Sequence, residues 1–133
     1  MTEQEWLGLV AALRDEGPSN AAVDAAATLQ RIATPADIQK LEGLLSDSDF
    51  FVREAAAWPL SDLGSVDSLP RLLDAFQRGI DDGHDNDGLA AALVSLVELH
   101  RDRAEPMLRS LLASPSPSAR ESAAWLLPFC TPR

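Results

Sequence analysis

One helical phrase occurs twice in this chain. "VREAAAW" begins at Val52 and "ARESAAW" begins at Ala119, 67 residues later in a sequence of 133. From each start, apolar or cysteine side chains follow at offsets 4, 8 and 11, a spacing that places them on one face of an α-helix. The duplication therefore predicts two equivalent amphipathic helices within a repetitive fold.

Two further copies of this stripe begin at Ala21 and Gly88, so the four starts are separated by 31, 36 and 31 residues. The third stripe ends at Leu99, and the fourth contains Leu127 and Cys130. Each copy is preceded by a second apolar stripe. The first positions of these four stripes are Leu7, Ile38, Leu69 and Glu105, of which Glu105 alone is polar. We expect both stripes to face the interior, as in a solenoid of helix pairs.

Turn-forming residues divide the chain in agreement with the stripes. "EGPSN", "SDSD" and "SPSPS" separate the helices of the first, second and fourth pairs. Ser19 or Asn20 is placed to cap the helix that follows, and Gly64 stands where a helix C-terminal glycine belongs. The expected helices are 3–14, 20–33, 35–46, 50–63, 66–79, 87–101, 103–113 and 117–129.

The segment "DSDFFVREAAAWPLSDLG", residues 47–64, resembles a HEAT repeat, and it is most similar to the short HEAT-like repeats of phycobilin lyases. The resemblance extends over essentially the whole chain and is partial at 114–130. In such repeats a loop aspartate binds the arginine that follows the first stripe position. The resemblance therefore implies that Asp47 or Asp49 binds Arg53, whereas Arg120 follows "SPSPS" and has no such acid.

The repeats and the resemblance together predict an all-α fold, a right-handed α-α solenoid of four HEAT-like helix pairs with about eight helices. We expect a single domain over residues 1–133. The expected repeats are roughly 1–33, 34–64, 65–101 and 102–133.

Two tryptophans stand opposite the stripe, at position 6 of their helices. This position holds Ala27, Trp58, Val94 and Trp125, and Glu54 and Glu121 come four residues before the two tryptophans. Two interpretations are open. The tryptophans pack between repeats as core, since Trp is highly buried on average. Alternatively they are partly exposed anchors, because second helices line the concave surface of HEAT repeats.

The longest predicted connection is "DDGHDNDG", residues 81–88, with carboxylates at Asp81, Asp82, Asp85 and Asp87. It does not form a calcium loop, because Gly83 occupies the first ligand position and Val94 the last. A solvated loop and an acidic patch for a basic partner remain as interpretations.

The net charge of −10 disfavours nucleic-acid binding and favours either a basic protein partner or solubility alone. Cys130 is the only cysteine, so no internal disulfide can form, and we expect an inert buried thiol and a reducing cytoplasm. The N-terminus does not resemble a signal peptide, and no apolar run approaches the roughly 20 residues that span a membrane.

No catalytic or metal-binding constellation accompanies His84 and His100, so we expect neither an enzyme nor a cofactor. The predicted function is a protein-binding module that holds a basic partner with its concave face and acidic loop, as an immunity or antitoxin-type inhibitor or as an adaptor. A bilin-lyase-like chaperone or lyase subunit is the alternative that the resemblance implies. We expect a monomer or weak dimer, in which Leu126 and Phe129 either fold back over the third pair or contact another chain.

Overall fold

The computed structural model describes residues 1–131, which form eight α-helices and no β-strand. This confirms the predicted all-α fold. The helices are α1 (Glu3–Leu13), α2 (Ala21–Ile32), α3 (Ile38–Leu44), α4 (Phe50–Asp62), α5 (Leu69–Asp81), α6 (Asp87–Leu99), α7 (Arg101–Leu111) and α8 (Pro117–Leu126). Among them, none is long and apolar enough to cross a membrane. The last two positions of the predicted fourth repeat lie outside the described residues.

Short polar side chains begin several helices. At α2, where the sequence predicts Ser19 or Asn20 as the cap, Ser19 accepts the amide of Ala21 (3.3 Å), and no capping bond from the Asn20 side chain is found among residues 1–131. Thr2 and Glu5 form a reciprocal capping box at α1, with N–O distances of 3.0 and 3.1 Å. Asp49 accepts the amide of Phe51 at α4 (2.8 Å), and Ser116 accepts the amide of Ala119 at α8 (3.3 Å). These bonds satisfy amides that have no partner within a helix.

Consecutive helices contact one another as pairs, and the second helices of the pairs form a layer. In this layer α2 contacts α4, and α4 contacts α6. The 3-10 turn Leu127–Cys130, which follows α8, packs on α6 and α7. The helix α4 also contacts α1, α3 and α5, so it lies at the centre of the molecule. Many stripe residues in the core are fully buried, among them Leu29, Val52, Leu60, Leu96 and Leu108.

Two positions of the predicted stripes, Leu7 and Leu99, are exposed instead of buried. Leu7 is 58% exposed, because α1 turns Trp6 and Leu13 to the interior instead, and Lys40 of α3 lies over the Trp6 ring. Leu99 is 71% exposed, since α6 ends there and the chain turns directly into α7. In the last pair, Leu127 is half-buried because the α-helix ends at Leu126 and a 3-10 turn changes the direction of the side chains.

Gly64 ends α4 with a positive φ of 68°, as its place in the sequence predicts. The amide of Ser65 binds the carbonyl of Leu60 and the amide of Gly64 binds that of Ser61, both at 3.0 Å, which is the Schellman pattern. A Cβ at Gly64 would lie 2.7 Å from the His100 ring.

Replacing Gly64 with alanine is expected to lower the free energy of unfolding by about 1–2 kcal/mol, because L-residues are strained at positive φ. Urea denaturation followed by circular dichroism measures this. Gly83→Ala is the matched control, since Gly83 has a φ of 76° at the end of α5 but open space around a Cβ. If the control lost more stability than Gly64→Ala, the crowding by His100 would have no energetic effect.

Candidate functional site

Arg53, in the first turn of α4, is completely buried. Its Nη1 donates to the backbone carbonyls of Asp47 (2.9 Å) and Ser48 (3.2 Å), and its guanidinium lies 5.5 Å from the centre of the Phe50 ring. The prediction that the carboxylate of Asp47 or Asp49 binds Arg53 is therefore wrong. The carboxylate of Asp47 instead binds Arg14 and the amide of Asp49, while that of Asp49 caps α4.

Arg120 repeats this arrangement in α8. Its Nη1 donates to the carbonyl of Ser114 at 2.7 Å, six residues earlier in the sequence, just as Arg53 binds Asp47. In both pairs the repeated arginine thus binds backbone carbonyls of the loop that connects the two helices. Because no side-chain acid is needed for this bond, the serine-proline sequence before α8 serves as well as the acidic one before α4.

The charges around Arg53 form a structural cluster. Burial lowers the pKa of Arg53 and nearby Arg78 acts in the same direction, whereas Asp82, Asp49 and Asp47 act against this. Burial alone would raise the pKa of Asp47, but its hydrogen bonds with Arg14 and the Asp49 amide hold that pKa below its usual value. These residues join the loop before α4 to the end of α5, where Arg78 donates to the carbonyls of Ser46 and Asp47.

Trp58 and Trp125 are both half-buried and both pack against the hydrophobic core. The Trp125 ring stacks on Phe76 of α5, with ring centres 5.0 Å apart and planes 14° apart. The ring of Phe129 meets that of Trp125 edge-on, with ring centres 6.5 Å apart. Each tryptophan therefore contributes to the core and also has an accessible part, so neither of the two sequence interpretations describes it alone.

Trp125 and Phe129 form one wall of an open groove of about 590 Å³, which we name the α6 groove. The opposite wall belongs to α6 and consists of Ala90, Ala91, Val94, Ser95, Glu98 and Leu99. The sequence assigned Leu99 to the interior, and for Phe129 it predicted a contact with either the third pair or another chain. In the structure the turn that carries Phe129 packs on α6 of the third pair, and Phe129 and Leu99 line the same groove. Trp58 and Glu121, which the sequence grouped with Trp125, do not line this groove.

Glu54 and Glu121, which occupy equivalent positions in the repeated phrase, lie in different environments. Glu121 is exposed, whereas Glu54 is half-buried between α4 and α6. The Glu54 carboxylate lies so close to Gly88 that a Cβ there would collide with it. Among residues 1–131 we find neither an ion pair nor a hydrogen bond for the Glu54 carboxylate. Burial, with a further contribution from Asp85, raises its pKa.

The raised pKa predicts the effect of Glu54→Gln on stability. A folded-state pKa above the ordinary 4.5 means that ionisation of Glu54 opposes folding, so its cost develops as pH rises from about 4.5 through the raised value. At pH 7 the variant is expected to have a higher urea midpoint than the wild type, and below pH 4 the two midpoints should converge. A variant that is less stable at pH 7 would contradict this assignment.

The four aspartates of the acidic loop are exposed, but they do not form one patch. Asp81 accepts from Gln77 (2.8 Å), and Asp82 lies 3.8 Å from Arg78. Asp81 and Asp82 line a second groove of about 490 Å³ between α5 and α8. Asp85 instead accepts the backbone amide of Asp87 at the start of α6. Within residues 1–131 there is no group of three or more His, Cys, Asp or Glu side chains that could hold a metal ion.

The histidines and the cysteine have separate structural contacts. His84 stacks on Phe50 at 4.5 Å, and His100 lies against Gly64 at the end of α4. Cys130 is buried, and burial raises the pKa of its thiol, which disfavours the nucleophilic thiolate. This arrangement does not bring an acid–base residue next to an activated nucleophile.

Comparisons with known proteins agree with this helix-pair architecture. A family model described as HEAT repeats matches residues 7–86, which is more than half of the chain. No curated protein and no solved structure shows a significant match. The matched segment contains the central helix α4 with its buried Arg53. The chain therefore belongs to the HEAT repeat family.

Proposed function

We propose that this chain is a non-enzymatic protein-binding module that holds its partner in the α6 groove. HEAT repeats generally mediate protein–protein interaction and are typically non-enzymatic scaffolds. The observation that supports this particular surface is the open groove between Trp125 and α6, in which Leu99 is 71% exposed. Exposed apolar patches mark interaction surfaces, and tryptophan is enriched at interface hot spots.

The charge of the chain supports a basic partner. The net charge is −10, and Glu98 lines the groove. Opposite charge on the partner would accelerate association and exclude acidic competitors, nucleic acids among them. The proposed role is that of a cytoplasmic inhibitor, such as an immunity protein or antitoxin that covers a basic toxin, or that of an adaptor in a larger complex.

Photo-crosslinking tests the proposed surface. The protein is produced in its native cells with p-benzoylphenylalanine in place of Ala91, an exposed residue of the α6 groove. A control protein carries the same group in place of Gln39, which is exposed on α3. We expect one discrete protein to be crosslinked from Ala91 and not from Gln39. Equal crosslinking from both positions, or none from Ala91, would contradict the proposal.

Surface variants provide an independent control. Leu99→Ser removes an apolar side chain of the groove, whereas Leu7→Ser removes a similarly exposed leucine of α1. Both are expected to fold like the wild type, because exposed substitutions usually change stability little. Only Leu99→Ser should reduce the crosslink from Ala91.

The identity of the crosslinked protein distinguishes the roles. A basic toxin domain whose activity falls on binding would support the inhibitor, and a subunit of a stable assembly would support the adaptor. A bilin-carrying protein would instead support the lyase-like alternative.

A further inference from the structure

We infer that the groove between α5 and α8, which we name the α5–α8 groove, is a second binding site and takes a short peptide segment that carries lysine or arginine. The aspartates of α5 receive the cationic side chains, and the buried hydroxyl of Ser122 in α8 binds the peptide backbone. This groove shares no lining residue with the α6 groove, so the inference does not rest on the proposed function.

The wall on α8 contains a buried hydroxyl without a partner. Ser122 lines the groove and is only 7% exposed. The serines before it are bonded locally: Ser114 accepts the amide of Ser116 (3.2 Å), and the hydroxyls of Ser116 and Ser118 share a bond at 3.0 Å. For the Ser122 hydroxyl we find no hydrogen bond within residues 1–131. A buried polar group without a partner is costly, so its place on a groove wall points to a ligand that completes it.

The opposite wall, on α5, carries the carboxylates of Asp74, Asp81 and Asp82. Asp81 is the last residue of α5 and Asp82 is its C-cap, where the helix dipole disfavours negative charge. The stability of the helix therefore does not account for these two side chains. A bound cation offsets the unfavourable charge, so the arrangement favours a cationic ligand.

Arg78 lies in the same lining, and its guanidinium is already bound on the side of α3 and α4. Its Nη1 donates to the carbonyls of Ser46 (3.4 Å) and Asp47 (3.3 Å), and its Nε lies 3.8 Å from the carboxylate of Asp82. Arg78 therefore compensates Asp82, the nearest of the three aspartates for which the structure shows an ion pair.

Asp74 and Asp81 keep uncompensated charges. Asp81 accepts a hydrogen bond from the neutral amide of Gln77 at 2.8 Å. Asp74 also lines a cavity between α3 and α5 together with Arg71, but that guanidinium pairs with Glu42 at 3.5 Å. In the part of the chain that the structure describes, no ion pair involves Asp74 or Asp81. Both carboxylates are therefore open to a cation from outside.

The combination of carboxylates and hydroxyl selects a peptide as the occupant. Asp74 and Asp81 are seven residues apart on α5, about 10 Å at 1.5 Å per residue, which is too far for both to ligate one metal ion. A free polyamine carries only N–H donors and leaves the proton of the Ser122 hydroxyl without an acceptor. A peptide carries both cationic side chains and backbone carbonyls. Leu73 and Leu111 in the same lining provide apolar surface for the methylene stems of lysine or arginine.

An NMR titration tests this inference at low ionic strength. The probe is a synthetic hexapeptide of glycine with two lysines, and the control replaces both lysines with norleucine, which keeps most of the stem and removes the charge. Amide signals of the 15N-labelled protein report both the affinity and the place of binding. We expect the lysine peptide to bind at least fivefold more tightly than the norleucine peptide, and to shift signals of α5 and α8 more than those of α6.

Substitutions locate the contact. Asp74→Asn, Asp81→Asn and Ser122→Ala are each expected to weaken binding of the lysine peptide at least threefold. The matched controls are Asp24→Asn and Ser110→Ala, which change exposed residues outside the groove and are expected to leave the affinity unchanged. Asp81→Asn removes a negative charge from a helix C-terminus, and Ser122→Ala removes a hydroxyl without a bond, so both are expected to fold like the wild type. Circular dichroism checks this.

Three results would overturn the inference. Equal affinity for the two peptides would remove the role of the carboxylates, and equal weakening by Asp24→Asn would mean that the net charge of −10 attracts the peptide without a site. Spermidine that binds as tightly as the lysine peptide, with no effect of Ser122→Ala, would mean that the groove takes free polyamines. The crosslink from Ala91 tests the other groove, so failure of either experiment leaves the other proposal standing.

Discussion

Replacing Arg53 with alanine is expected to lower the free energy of unfolding by about 3 kcal/mol. The guanidinium donates to the carbonyls of Asp47 and Ser48 and is completely buried, so its removal leaves two acceptors without this donor. A hydrogen bond from a charged donor contributes about 1.5–3 kcal/mol, and the aliphatic stem also loses its packing. The buried Nε and Nη2 have no hydrogen-bond partner among residues 1–131, which limits the net loss.

Arg120→Ala is the matched control, because Arg120 makes the same bond to Ser114 in an exposed setting. It is expected to cost less than about 1 kcal/mol, as exposed polar contacts do. Urea unfolding of both variants measures the difference. Arg53→Met separates the two contributions, since it keeps most of the stem and loses the bonds. Equal destabilisation by Arg53→Ala and Arg120→Ala would show that burial does not strengthen the contact.

Replacing Leu126 with alanine is expected to lower the free energy of unfolding by about 3 kcal/mol. Leu126 has no solvent exposure, and deletion of a buried leucine side chain costs roughly 2–5 kcal/mol, because the transfer energy is lost and a cavity remains. Leu126 is the last residue of α8 and directly precedes the 3-10 turn that packs on α6 and α7.

Leu127→Ala provides an adjacent control with the same change in volume. Leu127 is half-buried, so its truncation is expected to cost about 1 kcal/mol. Thermal and urea unfolding of the two variants test the ranking. A larger loss for Leu127→Ala would mean that α8 continues as a regular helix and that the stripe in the sequence points inward. Light scattering after size-exclusion chromatography checks that both variants have the oligomeric state of the wild type.

The helix pairs could be predicted from the sequence, whereas of the residues predicted to bind a partner Trp125 alone lines the α6 groove. The stripe through Val52, Ala56 and Leu60 is fully buried, because a period of 3.6 residues places these side chains on one face wherever the helix docks. Neither of the two interpretations of Trp125, as core or as a partly exposed anchor, is complete, since its ring packs on Phe76 and Phe129 and also lines the α6 groove. The groove wall at Leu99 was assigned to the interior, because helical spacing does not show where a helix ends.

The sequence by itself determined the local structure of this protein: its helices, the glycine that ends α4, and the repetition of one pair along the chain. Helix ends depend on contacts between residues that are close in the sequence. The apolar period of a helix stays the same however the helix packs against its neighbours. The tertiary structure alone decided that Arg53 is buried while Arg120 is exposed, and that Glu54 lies against α6 while Glu121 faces solvent. The two phrases are nearly identical, so the difference comes from their neighbours. The first phrase lies in the central helix, in contact with helices on both sides, whereas the second belongs to the last helix, where fewer neighbours cover it.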